Sequence, residues 1–221
     1  MDKSEHNNVL PSIGILGGTF DPVHFGHLRP VLEVAEQLAL DQVRLIPCSV
    51  PPHRPQPHAS GKARQLMLEL AIKGLHGFVV DDRELQREGA SYTVDTLLSL
   101  RQDFSDNPLF VMMGTDAFTT IDTWSRWQQI LDLAHIVVMK RPEEALALSG
   151  TLQPWYERHQ AMPDDKTLRA GKIWSLDVTQ LAISATQIRS CFSERKNPRF
   201  LMPDSVIELI KHIGLYRPDA S

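Results

Sequence analysis

A chain of 221 residues with 42% hydrophobic and 23% charged content can bury one sizeable core and suits a single large domain or one domain with a short appendage. Its net charge of −4 argues against a dominant basic surface for nucleic acid. Two cysteines, Cys48 and Cys191, without CxxC spacing make no disulfide framework; no apolar run reaches membrane-spanning length and segment 1–8 is polar, so the expectation is a cytoplasmic, enzyme-sized protein with neither membrane nor nucleic-acid partner.

In chain order, Ser12–Leu16 is an apolar, β-compatible run that ends at Gly17-Gly18. Leu28, Val31, Leu32, Ala35 and Leu38 follow at helical spacing. Val43–Pro47 reads as the next strand, and Ala63, Leu66, Met67, Leu70 and Ala71 carry the spacing of an amphipathic helix. Phe78–Val80 is a short strand, Thr93–Arg101 a helix with Val94, Leu97 and Leu98 inward, and Leu109–Met113 and Ile136–Lys140 two further strands. Ser49–Ala63, with Pro51, Pro52, Pro55 and Pro57, reads as a loop, and so does Pro142–Gly171. A strand around Ile173–Leu176 precedes two closing helices. The second has Asp204 as N-cap, Val206, Ile210 and Ile213 inward, and Gly214 as its stop.

Strand–helix alternation of this kind predicts an α/β fold with a doubly wound, Rossmann-like parallel sheet and helices on both faces. A small helical part over about 184–217 closes the chain, and residues 1–11 read as a flexible extension before a single domain, 12–221. Ligands are expected beyond the carboxyl ends of the strands, at the topological switch point.

The unusual residues lie there. In Gly17-Gly18-Thr19-Phe20-Asp21-Pro22-Val23-His24-Phe25-Gly26-His27, two glycines after a buried strand let main-chain N–H groups approach a ligand. A helix starting near Gly26 aims its N-terminal dipole into the same crevice. His24 and His27, three apart, share one side of that start and can donate to phosphate oxygens, more strongly when protonated. Gly-Gly alone is a tight turn. Two histidines at this spacing could also be metal ligands, but no third His, Cys or Asp cluster accompanies them, so no protein metal site is expected. Asp21 reads as a capping or loop-holding residue, with water-holding as the alternative.

This segment resembles the first signature of the nucleotidyltransferase superfamily with a His-x-Gly-His motif. Ile183-Ser184-Ala185-Thr186-Gln187-Ile188-Arg189 is similar to the ISSTxIR signature of its adenylyltransferase branch, with Ala185 replacing a serine. The resemblance implies direct attack of a nucleotide 5′-phosphate on the α-phosphorus of ATP, with Mg²⁺ travelling on the nucleotide. It assigns His24, His27 and Arg189 to catalysis. ATP contacts fall to Gly17, Gly18, Thr19, Phe20, His24, His27, Gly114, Asp116, Ile183, Ser184, Thr186 and Arg189.

Three further segments resemble the nicotinate mononucleotide adenylyltransferases. Pro51-Pro52-His53-Arg54 is similar to a basic loop that faces substrate phosphate, so His53 and Arg54 are expected there. Ser91-Tyr92-Thr93 resembles the segment whose Tyr and Thr amides bind the pyridine acid group; free amides at a helix start suit a carboxylate. Gly114-Thr115-Asp116 with Trp124 resembles a ribose-binding and ring-stacking pair; Trp127, a helical turn further on, could be confused with Trp124, and a buried structural role is the alternative for either tryptophan. Arg141 matches a further basic position. The expected partners are ATP and nicotinate mononucleotide. Alternatives are a nicotinamide mononucleotide or pantetheine phosphate acceptor, an aminoacyl-tRNA synthetase domain, and a nucleotide sensor without catalysis.

Overall fold

The computed structural model describes residues 10–49, 56–142, 145–148 and 150–217. Six strands alternate with helices: β1 (Ile13–Gly18), α1 (Phe25–Leu38), β2 (Gln42–Pro47), α2 (Gly61–Ala71), β3 (Phe78–Val80), α3 (Thr93–Asp103) and β4 (Leu109–Gly114). The short α4 (Thr115–Phe118) follows, then 3₁₀ turns at Ile121–Thr123 and Trp127–Gln129, α5 (Ile130–Leu133) and β5 (His135–Lys140). The remainder is α6 (Leu152–His159), a 3₁₀ turn at Pro163–Thr167, β6 (Ile173–Asp177), α7 (Ala185–Ser193) and α8 (Asp204–Ile213).

The strands form one parallel sheet in the order β3-β2-β1-β4-β5-β6. The chain winds outward from β1 to β3, then crosses back to lay β4 beside β1. That reversal opens a crevice at the carboxyl ends of β1 and β4. Gly17-Gly18 and Gly114 therefore end neighbouring strands on the same rim.

Period-two alternation along the strands feeds two cores. Val137 and Met139 of β5 join Val31, Val34, Leu45 and Met67 on one face. Ile136 and Val138 join Ile13, Ile15, Leu97 and Leu109 on the other. Each such fully buried aliphatic side chain contributes about 1.5–3 kcal/mol relative to exposure.

Four local expectations change. In α2, Leu66 is 39% exposed while Arg64 is 2% exposed and faces inward with Met67 and Leu68. In α3, Leu98 is exposed, and Leu100 and Arg101 take the inward side. Arg101 can be buried because its guanidinium donates to the carbonyls of Leu133, Phe104, Ser105, Asn107 and Arg169. The stretch read as a loop after Pro142 contains α6, held by buried Leu152 and by Trp155 and Tyr156 against Phe118. Finally, Pro203 is the N-cap of α8, Asp204 sits in its first turn, and Ile213 is exposed; Gly214 stops the helix at φ 71°.

Candidate active site

The turn after β1 carries most of the expected chemistry. A Cβ on Gly17 would meet nothing within 4 Å, so the chain there is open to an approaching ligand. Gly18 is filled from behind by the ring of Phe20, 3.0 Å from the position a Cβ would take. Phe20 is buried at φ 50° and packs edge-on to His27, with centroids 5.2 Å apart.

His24 and His27 lie together as the spacing predicts. Their rings stack with centroids 3.7 Å apart and planes 26° from parallel. The main-chain N–H of His24 donates to His27 Nδ1 at 3.3 Å. In the neutral ring this leaves the proton on Nε2. Burial pulls His24 down to about 4, and burial together with the neighbouring His24 pulls His27 down to about 3. The protonated donors considered from sequence are therefore replaced by neutral ones at pH 7 when the cleft holds no anion.

The late motif reaches this turn. Ser184 caps α7, its Oγ accepting from the Gln187 N–H at 3.2 Å. Its own O–H remains available to donate. Arg189 Nη1 donates to the Asp21 carbonyl at 2.7 Å, and Nη2 to Thr186 Oγ1 at 3.2 Å. A Cβ on Gly26 would stand 2.9 Å from His24 Nδ1 and 3.2 Å from the Ile183 carbonyl. Only a residue without a side chain lets the two motifs close to this distance.

Asp21 holds the floor of the turn. The 4% exposed carboxylate accepts from the His58 N–H at 2.7 Å, the Ala59 N–H at 3.1 Å and the Tyr216 O–H at 2.6 Å. Its loop-holding role follows from these three donors. Burial, and then the Asp21 carboxylate, push the Tyr216 phenol well above its ordinary value. Neither Tyr216 nor Arg64 was among the expected site residues. A cation inside the apolar stripe of α2 was the available signal for Arg64; for Tyr216, which lies beyond the helix stop, sequence held none.

The second rim is set by β2, α3 and β4. The Ser49 N–H donates to Ser91 Oγ at 3.1 Å, bringing the Ser-Tyr-Thr segment to the end of β2. Tyr92 is the N-cap of α3 and supplies no side-chain cap; the Asp95 N–H donates to the Tyr92 carbonyl at 3.0 Å, which leaves the Thr93 and Val94 amides at the open helix start. Gly114 caps α4, whose first turn bears the exposed Asp116, while Thr115 Oγ1 is buried without a partner among the described residues. Trp124 is half-buried at the end of a 3₁₀ turn. Trp127 packs edge-on to Trp155, with centroids 4.8 Å apart, which gives it a structural place. Arg141 is exposed immediately after β5. His53 and Arg54 lie outside the described residues.

Among the described residues no group of three or more His, Cys, Asp or Glu could hold a metal ion. No described helix is long and apolar enough to cross a membrane. Both cysteines are free thiols.

Residues 15–191 match the family described as cytidylyltransferase-like. A chain of Aeromonas hydrophila named "Probable nicotinate-nucleotide adenylyltransferase" is 45% identical over 212 residues, covering 95% of this chain and 99% of that one. One of Methylococcus capsulatus with the same name is 47% identical over 208 residues, covering 92% and 99%. In three dimensions the fold is similar to that of the Plasmodium falciparum nicotinic acid mononucleotide adenylyltransferase complexed with NaAD. The TM-score is 0.69 at 14% identity, over 93% of this chain and 97% of that one.

Proposed function

This chain belongs to the cytidylyltransferase-like family and, within it, to the nicotinate-nucleotide adenylyltransferases; from that premise we propose how its own residues carry the reaction. The enzyme transfers the adenylyl group of ATP to nicotinate mononucleotide, giving deamido-NAD and pyrophosphate in NAD biosynthesis. An oxygen of the mononucleotide 5′-phosphate forms a bond to the α-phosphorus as the bond from that phosphorus to pyrophosphate breaks. The nucleophile is already anionic, so no general base is required, and catalysis rests on alignment and charge stabilisation.

The amides of the Gly17–Phe20 turn, the Nε2–H of His27, the imidazole of His24 and the Arg189 guanidinium supply that stabilisation. A site of neutral donors and one fixed cation suits a ligand that brings its own charge. ATP carries Mg²⁺ with it, held by phosphate oxygens and water; this fits a turn whose own carboxylate, Asp21, already accepts three hydrogen bonds. Ile183, Ser184, Thr186, Gly114 and Asp116 complete the ATP side. Tyr92 and Thr93 amides receive the pyridine carboxylate, Trp124 stacks on the ring, and Arg141, His53 and Arg54 attend the mononucleotide phosphate. The setting is cytoplasmic, in keeping with two free thiols.

The observation that carries this reading is the 2.7 Å contact of Arg189 with Asp21, which joins the two phosphate motifs. Initial rates of pyrophosphate release with ATP, Mg²⁺ and each candidate acceptor test it. Turnover with nicotinate mononucleotide well above that with nicotinamide mononucleotide is expected. Turnover with pantetheine phosphate alone would overturn it.

A further inference from the structure

Among the described residues Arg64, 2% exposed, is one of the largest buried side chains, and it is a charged one. Its three donor groups end on three main-chain carbonyls. Nε donates to Ala59 at 3.2 Å, Nη1 to Thr19 at 2.9 Å and Nη2 to Cys48 at 2.8 Å. Taking a guanidinium out of water costs several kcal/mol even after relaxation. A planar fork satisfied at every nitrogen offsets that cost and fixes the three acceptors relative to one another.

The three carbonyls belong to different parts of the cleft. Thr19 lies in the turn that faces the polyphosphate. Cys48 follows β2, its N–H donating to the Gly18 carbonyl at 2.9 Å; the next residue, Ser49, bonds Ser91 at the start of α3. Ala59 donates its N–H to the Asp21 carboxylate, and Asp21 in turn receives Arg189. One buried cation therefore joins the ATP side of the crevice to its acceptor side. In-line transfer depends on the distance between those sides, and a displacement of about 1 Å can cost on the order of 10²-fold in rate.

We propose that Arg64 is a positioning residue for adenylyl transfer, setting the separation of the two substrate sites through the Thr19, Cys48 and Ala59 carbonyls. The proposal rests on the function given above. Arg64 is buried and turns all three of its nitrogens to main-chain carbonyls, so it acts on alignment rather than on binding.

The test compares Arg64→Lys and Arg64→Met with the unaltered protein, using kcat and both KM values, thermal melting, and amide hydrogen exchange. A lysine keeps the charge but cannot serve three carbonyls in one plane. Expected for Arg64→Lys is a folded protein with kcat lowered about 10–100-fold and both KM values within about threefold. Exchange should quicken at residues 18–20, 48–49 and 58–60, while β4 and β5 stay protected. Wild-type kcat in a folded variant, a loss of activity matching only the unfolded fraction, or unchanged exchange at those residues would overturn the proposal. Failure of both variants to fold would also overturn it, making Arg64 a requirement of the core. Absence of dinucleotide from the unaltered protein would sink the assigned reaction instead, and the exchange pattern would still judge the clamp.

Discussion

The guanidinium of Arg189 and the main-chain carbonyl of Asp21, 168 positions apart in sequence, meet at 2.7 Å. The contact aims a fixed positive charge at the turn after β1, and it occupies a single edge of the fork. The second edge rests on Thr186 Oγ1, on the helix start that belongs to the same motif.

Arg189→Lys should therefore lower kcat by about 10²–10³-fold, the usual cost of one lost transition-state donor. The melting temperature should shift by only a few degrees, because the side chain is half-buried at the rim. Steady-state rates and a thermal melt on one preparation check both.

The two stacked histidines predict a pH effect on stability. Each has a folded-state pKa below the ordinary 6.5, at about 4 for His24 and about 3 for His27. The unfolded chain then binds more protons as pH falls. Stability is complete above about pH 6.5 and declines as pH drops toward 4, by about 1–2 kcal/mol per histidine between pH 6.5 and 5. Urea midpoints across that range should show the slope, and His27→Gln should flatten it.

Trp124 and Trp127 should separate by readout. Trp124→Ala is expected to raise KM for nicotinate mononucleotide more than KM for ATP. Trp127→Ala should leave both KM values in place and destabilise the fold by about 2–4 kcal/mol through loss of its Trp155 contact. Kinetics and denaturant unfolding of the pair decide the assignment.

Tyr216→Phe removes one hydrogen bond to a buried carboxylate and leaves its two amide donors. A loss of about 1.5–3 kcal/mol in unfolding free energy is expected, together with lower kcat as the Asp21 turn loosens. Urea titration alongside turnover measures both.

The six strands and the doubly wound order were legible because a parallel sheet buried on both faces writes itself as apolar runs between helical repeats. The turn after β1, with His24 beside His27, was legible too, since its residues are local in sequence. What escaped depends on long-range partners. The burial of Arg64 could not be read, because sequence does not display the carbonyls of Thr19, Cys48 and Ala59 that permit it. Asp21 could be read as a loop holder, yet the His58, Ala59 and Tyr216 donors could not be named. Helix α6 was hidden by Pro154 in its first turn and by aromatic residues whose partner, Phe118, lies elsewhere in the chain. The protonation state of the histidines could not be read from sequence for a similar reason: desolvation belongs to the folded cleft and leaves no trace in composition.

The span of 195 positions between Asp21 and Tyr216 orders events during synthesis. A nascent chain has all six strands emerging from the ribosome before Tyr216 is available, so the sheet can form while the phosphate turn still lacks one of its braces. Competence for chemistry is then acquired only after the sheet has emerged, once the segment that carries Tyr216 is free to reach back to the Asp21 carboxylate.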